Sequence, residues 1–141
     1  MIKNEREYKI TKASLAKFEQ SLAFIVNRQG SGPPDDAAKL KLQEAAARSM
    51  LCELQEQIDE YEKLRAGRFD LAALDMVEAI PSSLIRARIA AGWTQKELAK
   101  RLGISEQQIQ KYESTDYESA SFRKINEIAT ILKAASEARR N

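Results

Sequence analysis

The sequence predicts an all-α protein: an N-terminal antiparallel helical hairpin followed by a C-terminal domain of about four short helices. Two observations carry this. Gly and Pro number only 5 and 3 in 141 residues, while Ala, Leu, Glu, Lys and Gln abound, and those are the residues that cost least in a helix. Apolar side chains also recur at spacings of three and four rather than two. An apolar share of 43% with 31% charged residues fits a globular chain.

Residues 1–10 are charged and are expected to be extended, with Thr11 capping the first helix. Leu15, Phe18, Leu22 and Ile25 then mark one helical face. The run Arg28-Gln29-Gly30-Ser31-Gly32-Pro33-Pro34 breaks that helix, and Asp35 or Asp36 is expected to cap the next. The second helix is expected over 37–65, stopped by Gly67. Its positions 40, 44, 47, 51, 54, 58, 61 and 65 alternate steps of four and three. They hold Leu40, Glu44, Ala47, Leu51, Leu54, Ile58, Tyr61 and Arg65, nearly a coiled-coil seam. A short Gly/Pro loop between two such helices predicts a hairpin. A hairpin this thin is marginal alone, so it is expected to dock on a second copy or on the rest of the chain. Leu51, Leu54 and Ile58 are expected at the dimer interface or directly beneath it. Residues 1–67 thus form one segment and 68–80 a linker, in which Asp70 caps a short helix carrying Leu71, Leu74 and Val77.

Residues 81–141 form the second domain. Pro81-Ser82-Ser83 opens a helix that turns Leu84, Ile85 and Ile89 inward and ends at Gly92. Thr94 with Glu97 three residues on is a capping box, starting a helix over 95–102. Gly103 supplies a left-handed turn residue, and Ser105 caps a helix over 106–113. Ser119 or Ser121 caps a last helix, whose expected apolar face is Phe122, Ile125, Ile128, Ala129 and Leu132.

Composition removes several kinds of chemistry. The chain has no histidine and one cysteine, which excludes Ser/His/Asp and Cys/His catalysis, histidine metal sites and an intrachain disulfide. No GxxxxGK[ST] or GxGxxG phosphate loop occurs. Neither an enzyme nor a cofactor is expected. No apolar run reaches the roughly 18 residues of a membrane span, and the charged N-terminus lacks a secretory h-region, so the expected location is cytoplasmic. Cys52 and Trp93 are read as packing residues, Tyr61 as part of the seam, and Arg139-Arg140 as a solvated tail. Residues 1–67 carry 11 basic and 11 acidic side chains, whereas residues 81–133 carry 9 and 6. The positive excess lies in the second domain, where a nucleic-acid partner would need it.

The stretch from Gln95 to Glu113, QKELAKRLGISEQQIQKYE, resembles the helix-turn-helix of the phage-repressor (Xre/Cro-like) transcriptional regulators. Ala99 is small where the third helix crosses closely, Gly103 makes the tight turn, and Leu98, Leu102, Ile104, Ile109 and Tyr112 form the core between the helices. The resemblance covers about residues 82–133. It implies a lambda-repressor-like fold and binding of double-stranded DNA by a dimer at a palindromic operator, most often as a repressor. The alternative it leaves open is an antitoxin that also binds a toxin protein.

By the same resemblance, Glu106, Gln107 and Lys111 match base-contacting positions, and Gln110 lies beside them on the polar face. Gln can pair with adenine, Lys can donate to guanine, and Glu106 could accept from cytosine N4 or act as a repulsive, discriminating charge. Gln95 matches a phosphate-binding position. Lys96, Gln108, Ser114, Tyr117, Ser119 and Ser121 are the further phosphate contacts expected around it. Arg88 and Glu113 match a pair that forms a buried salt bridge in some family members. The chain departs from the family in the turn 114–119, where Asp116 and Glu118 replace the usual Gly and basic residues. It also departs after Lys133, where the dimer-forming fifth helix is expected to be absent.

Overall fold

The computed structural model describes residues 1–72 and 80–141, leaving out the side chains of Asp35 and Ile80. The expected linker positions Leu74 and Val77 lie outside the described residues. Those described are all-helical, with no strand: α1 (Glu5–Arg28), α2 (Pro34–Arg65), α3 (Ile80–Ala90), α4 (Gln95–Leu102), α5 (Glu106–Ser114) and α6 (Phe122–Arg140). The chain divides into two compact units, Met1–Glu60 and Tyr61–Asn141. The division falls inside α2, ahead of the expected boundary at Gly67. The last turn of α2, with Tyr61 and Leu64 buried, counts with the second unit.

In the first unit α1 begins earlier than expected. Asn4, not Thr11, is the cap: its Oδ1 accepts from Glu7 N at 2.9 Å, and Glu7 returns a carboxylate oxygen to Lys3 N at 2.8 Å. Two orphan N–H groups are thereby satisfied in the reciprocal manner of a capping box. Thr11 sits inside the helix and donates its hydroxyl to Glu7 O. α2 also starts early, at Pro34, whose fixed φ and missing N–H suit the first turn of a helix. Gln29 Nε2 donates to Glu44, which lies ten residues into α2. The chain therefore doubles back, and α2 runs antiparallel to α1.

The inward face of α2 is the seam read from the sequence. Leu40, Glu44, Leu51 and Leu54 are half-buried and Ala47, Ile58 and Tyr61 are buried, while Leu64 takes the place expected for Arg65. Ile58 is 3% exposed. It is already covered within the chain and is not itself a surface contact. Leu15, Phe18, Leu22 and Ile25 on α1 are each half-buried, as one helix packing on one other allows.

In the second unit Leu84, Ile85, Leu98, Ile109, Ile128 and Leu132 are completely buried. They come from α3, α4, α5 and α6, so every helix of the domain contributes to one core. α6 departs from expectation twice. Phe122, expected inward, is 75% exposed, because it is the first residue after the Ser121 cap and precedes the buried face of Ile128 and Leu132. The helix also continues through the polar segment to Arg140. Arg139 Nη1 donates to Ala90 O, and Arg140 Nη2 donates to Phe69 O at 3.3 Å. The two arginines are thus bonded to backbone rather than a free tail. Arg139 supplies a cation at the C-terminal end of α3, where helix carbonyls lack partners. Gly92, in the left-handed region at φ +75°, makes room for it: a Cβ there would lie 3.2 Å from Arg139 Nη1.

Candidate nucleic-acid interface

α4 and α5 are built from strong local signals. Thr94 Oγ1 accepts from Glu97 N at 3.1 Å and Glu97 Oε2 accepts from Thr94 N at 2.7 Å, so the capping box is complete. These bonds, that from the Thr94 backbone foremost, hold the Glu97 carboxyl below its ordinary range. Gly103 ends α4 at φ +67°, a conformation that costs a residue with Cβ on the order of 1 kcal/mol. Two residues later the Ser105 hydroxyl accepts from Gln108 N at 3.2 Å and starts α5. Ala99, 2% exposed, and the buried Leu98, Leu102 and Ile109 fill the angle between the two helices.

One polar cluster lies inside this core. Arg88 on α3 and Glu113 on α5 are 3% and 1% exposed. They pair through two bonds, Nε to Oε1 at 2.6 Å and Nη2 to Oε2 at 2.9 Å. Arg88 Nη1 also donates to Trp93 O at 2.8 Å, and Gln95 Nε2 donates to Glu113 Oε2 at 2.7 Å. The forked guanidinium meets the forked carboxylate, which is the geometry in which a buried pair is worth its desolvation. The cluster joins the end of α3, the start of α4 and the last turn of α5. It therefore fixes α5 against the other two helices.

Elsewhere on α5, Glu106, Gln107, Gln110 and Lys111 are all exposed. Gln110 Nε2 donates to Glu106 Oε1 at 3.4 Å, one turn away. These are the four residues singled out for base reading, and they occupy consecutive turns of one short, anchored helix.

The surrounding residues fall out less uniformly. Lys96 is exposed at the start of α4, Ser119 is exposed in the turn, and Ser121 is exposed at the α6 cap. The Ser121 hydroxyl oxygen accepts from Lys124 N at 3.2 Å, which leaves its proton free. Gln108 is half-buried. Gln95 turns its amide inward and spends one of its two N–H donors on Glu113; nothing in the sequence signals that bond. The Ser114 hydroxyl donates to Lys111 O at 2.9 Å, spending its proton on the helix end.

Tyr117 does not fit the phosphate role. It is 2% exposed and stacks on Tyr112 with centroids 5.9 Å apart. Its hydroxyl is buried without a partner, and burial, followed by the Glu113 charge, pushes that hydroxyl's pKa well up. Within this turn two side-chain-bearing residues sit at positive φ, Asp116 at 47° and Tyr117 at 63°. The cost of that backbone is accepted where Tyr117 fills the core. Trp93 is half-buried rather than core, and the Arg101 guanidinium lies 4.0 Å from its ring centroid.

Residues 84–136 match the family described as helix-turn-helix. The C-terminal unit carries a helix-turn-helix domain. The match spans a little over a third of the chain and supports sequence-specific DNA binding by a transcriptional regulator. No curated protein and no solved structure gives a significant match. Among the described residues no helix is long and apolar enough to cross a membrane.

Proposed function

We propose that this protein is a dimeric transcriptional regulator, acting as a repressor, that inserts α5 into the major groove of a palindromic DNA operator. The observation that carries the reading is the exposed set Glu106, Gln107, Gln110 and Lys111 on a helix anchored near its end by the buried Arg88–Glu113 pair. Such a helix presents base-reading groups without losing much order on binding. Gln107 and Lys111 donate to base edges. Lys96, Ser119, Ser121 and the first N–H groups of α4 bind phosphate and set the register. Arg123, exposed in the first turn of α6, adds a cation beside the Ser121 cap.

Dimerisation is assigned to the N-terminal unit. Its seam residues on α1 and α2 keep part of their surface exposed, Leu51 and Leu54 among them. A second hairpin laid against the first would cover that surface as a four-helix bundle does. Two recognition helices could then sit about one helical turn of DNA apart. The test is selection of duplexes from a random pool by the full chain, followed by sedimentation with the selected duplex. Two chains per palindromic duplex are expected. One chain per duplex overturns the dimer, and selection of no sequence overturns DNA reading.

A further inference from the structure

Three helix ends meet beside a small cavity that DNA reading does not use. Its volume is about 150 Å³, and Gly67, Phe69, Ala90, Ser136, Arg139 and Arg140 line it, all within the second unit. That is the room roughly five waters occupy in the liquid. Gly67 lies just past the end of α2, Ala90 ends α3, and the two arginines lie at the end of α6. Arg139 Nη1 donates to Ala90 O, and Arg140 Nη2 donates to Phe69 O at 3.3 Å. These bonds place the guanidinium groups yet use only one of the five N–H donors that each carries. Gly67 and Gly92 pass close beside Arg139: a Cβ there would lie 3.6 Å from Cζ and 3.2 Å from Nη1 respectively. The Arg139 head group is thus held between bare stretches of backbone.

The charge of this cavity is one-sided. Two cations on adjacent residues repel each other, and among the described residues neither makes an ion pair. Asp70, beside Phe69, turns a carboxylate oxygen to Ala72 N at 3.0 Å instead. The carbonyls of Ala90 and Phe69 each already accept a guanidinium N–H. The Ser136 hydroxyl is buried without a partner among the described residues, a further unanswered donor. Donors and positive charge are thus left over, and forked guanidinium groups match a carboxylate or a phosphate. We infer that this cavity binds a small oxyanion, the carboxylate or phosphate group of a ligand of a few heavy atoms, between Arg139 and Arg140. Bound there, the anion joins the segment after α2 to the ends of α3 and α6. The site shares no residue with the exposed set on α5 and does not depend on that helix reading DNA.

The test melts the full chain, followed by Trp93 fluorescence, in chloride and with inorganic phosphate, acetate or succinate replacing chloride at constant ionic strength. At about ten times its dissociation constant a bound anion multiplies the folded population roughly ten-fold, which moves the midpoint of a unit this size up by roughly 6–11 °C. The rise should saturate with concentration. A response to phosphate alone assigns a phosphate group, and a response to acetate or succinate alone assigns a carboxylate. Arg140 is exposed and makes one long bond, so Arg140→Gln should fold and lose at least ten-fold in apparent affinity for the anion. Arg140→Lys, which keeps the charge but not the fork, should lose severalfold. Lys100→Gln, which removes an exposed cation elsewhere in the same unit, should respond as the parent does. No saturable rise with any of the three anions overturns the site. A rise of the same size and concentration dependence in Arg140→Gln, or one lost equally in Lys100→Gln, also overturns it, because general salt effects would then explain the response.

Discussion

Glu113→Ala is the sharpest probe of how the recognition helix is held. The substitution removes three hydrogen bonds at once: two from Arg88, at 2.6 and 2.9 Å, and one from Gln95, at 2.7 Å. Arg88 is then left 3% exposed and loses the carboxylate that its guanidinium grips through two bonds. Breaking one side of a buried pair in this way costs about 3–5 kcal/mol. For a domain of this size, each kcal/mol moves the midpoint by roughly 4–8 °C, so the second unit should melt at least about 12 °C lower. Trp93 is the only tryptophan and lies against the cluster, so its fluorescence reports this unit directly. Replacing both partners by apolar residues, Arg88→Met with Glu113→Leu, should recover most of the loss, because no charge is stranded. A single variant that melts within about 2 °C of the parent, or a double variant no better than the single, would refute this account of the cluster.

Three further outcomes follow from the same geometry. Tyr117→Phe removes a buried hydroxyl that has no partner and should raise stability by about 1 kcal/mol in a denaturant titration, since the ring and its stacking on Tyr112 remain. Gly92→Ala should lose about 1 kcal/mol or more in the same titration, because it places a Cβ at φ +75°, 3.2 Å from Arg139 Nη1. The Glu97 carboxyl is held below its ordinary range in the folded chain. Its stabilisation is therefore full above the unfolded value of about 4.3 and lost as pH falls through the lower folded one. Glu97→Gln should flatten the fall in melting temperature below about pH 4.3.

Much of this architecture was legible because the signals are local. The α2 seam from Leu40 to Tyr61 follows from spacing alone, and the α4 and α5 boundaries follow from Thr94, Gly103 and Ser105, whose side chains or backbone act within three residues. The errors have a common cause in distant or weakly patterned contacts. The start of α1 is hidden because residues 5–12 show no apolar stripe, and Asn4 with Glu7 does the capping. The end of α6 read as a tail because its arginines bond to the carbonyls of Ala90 and Phe69, 49 and 71 residues away in sequence. Tyr117 read as a surface residue because it follows Asp116 in a polar turn; only the left-handed backbone at both positions swings its ring into the core. Of the interface, the four exposed residues of α5 could be picked from sequence, whereas the inward commitment of the Gln95 and Ser114 side chains could not.

The central claim is that α5 reads bases through its exposed row. The most direct measurement is the affinity of the full chain for its selected operator and for a scrambled duplex of equal length, compared with Gln107→Ala and Lys111→Ala at one salt concentration. Each substitution should cost about 1–3 kcal/mol on the operator and much less on the scrambled duplex, with relaxed preference at one base pair. Equal losses on both duplexes would show that these side chains bind only backbone, and no loss on either would place the reading surface elsewhere.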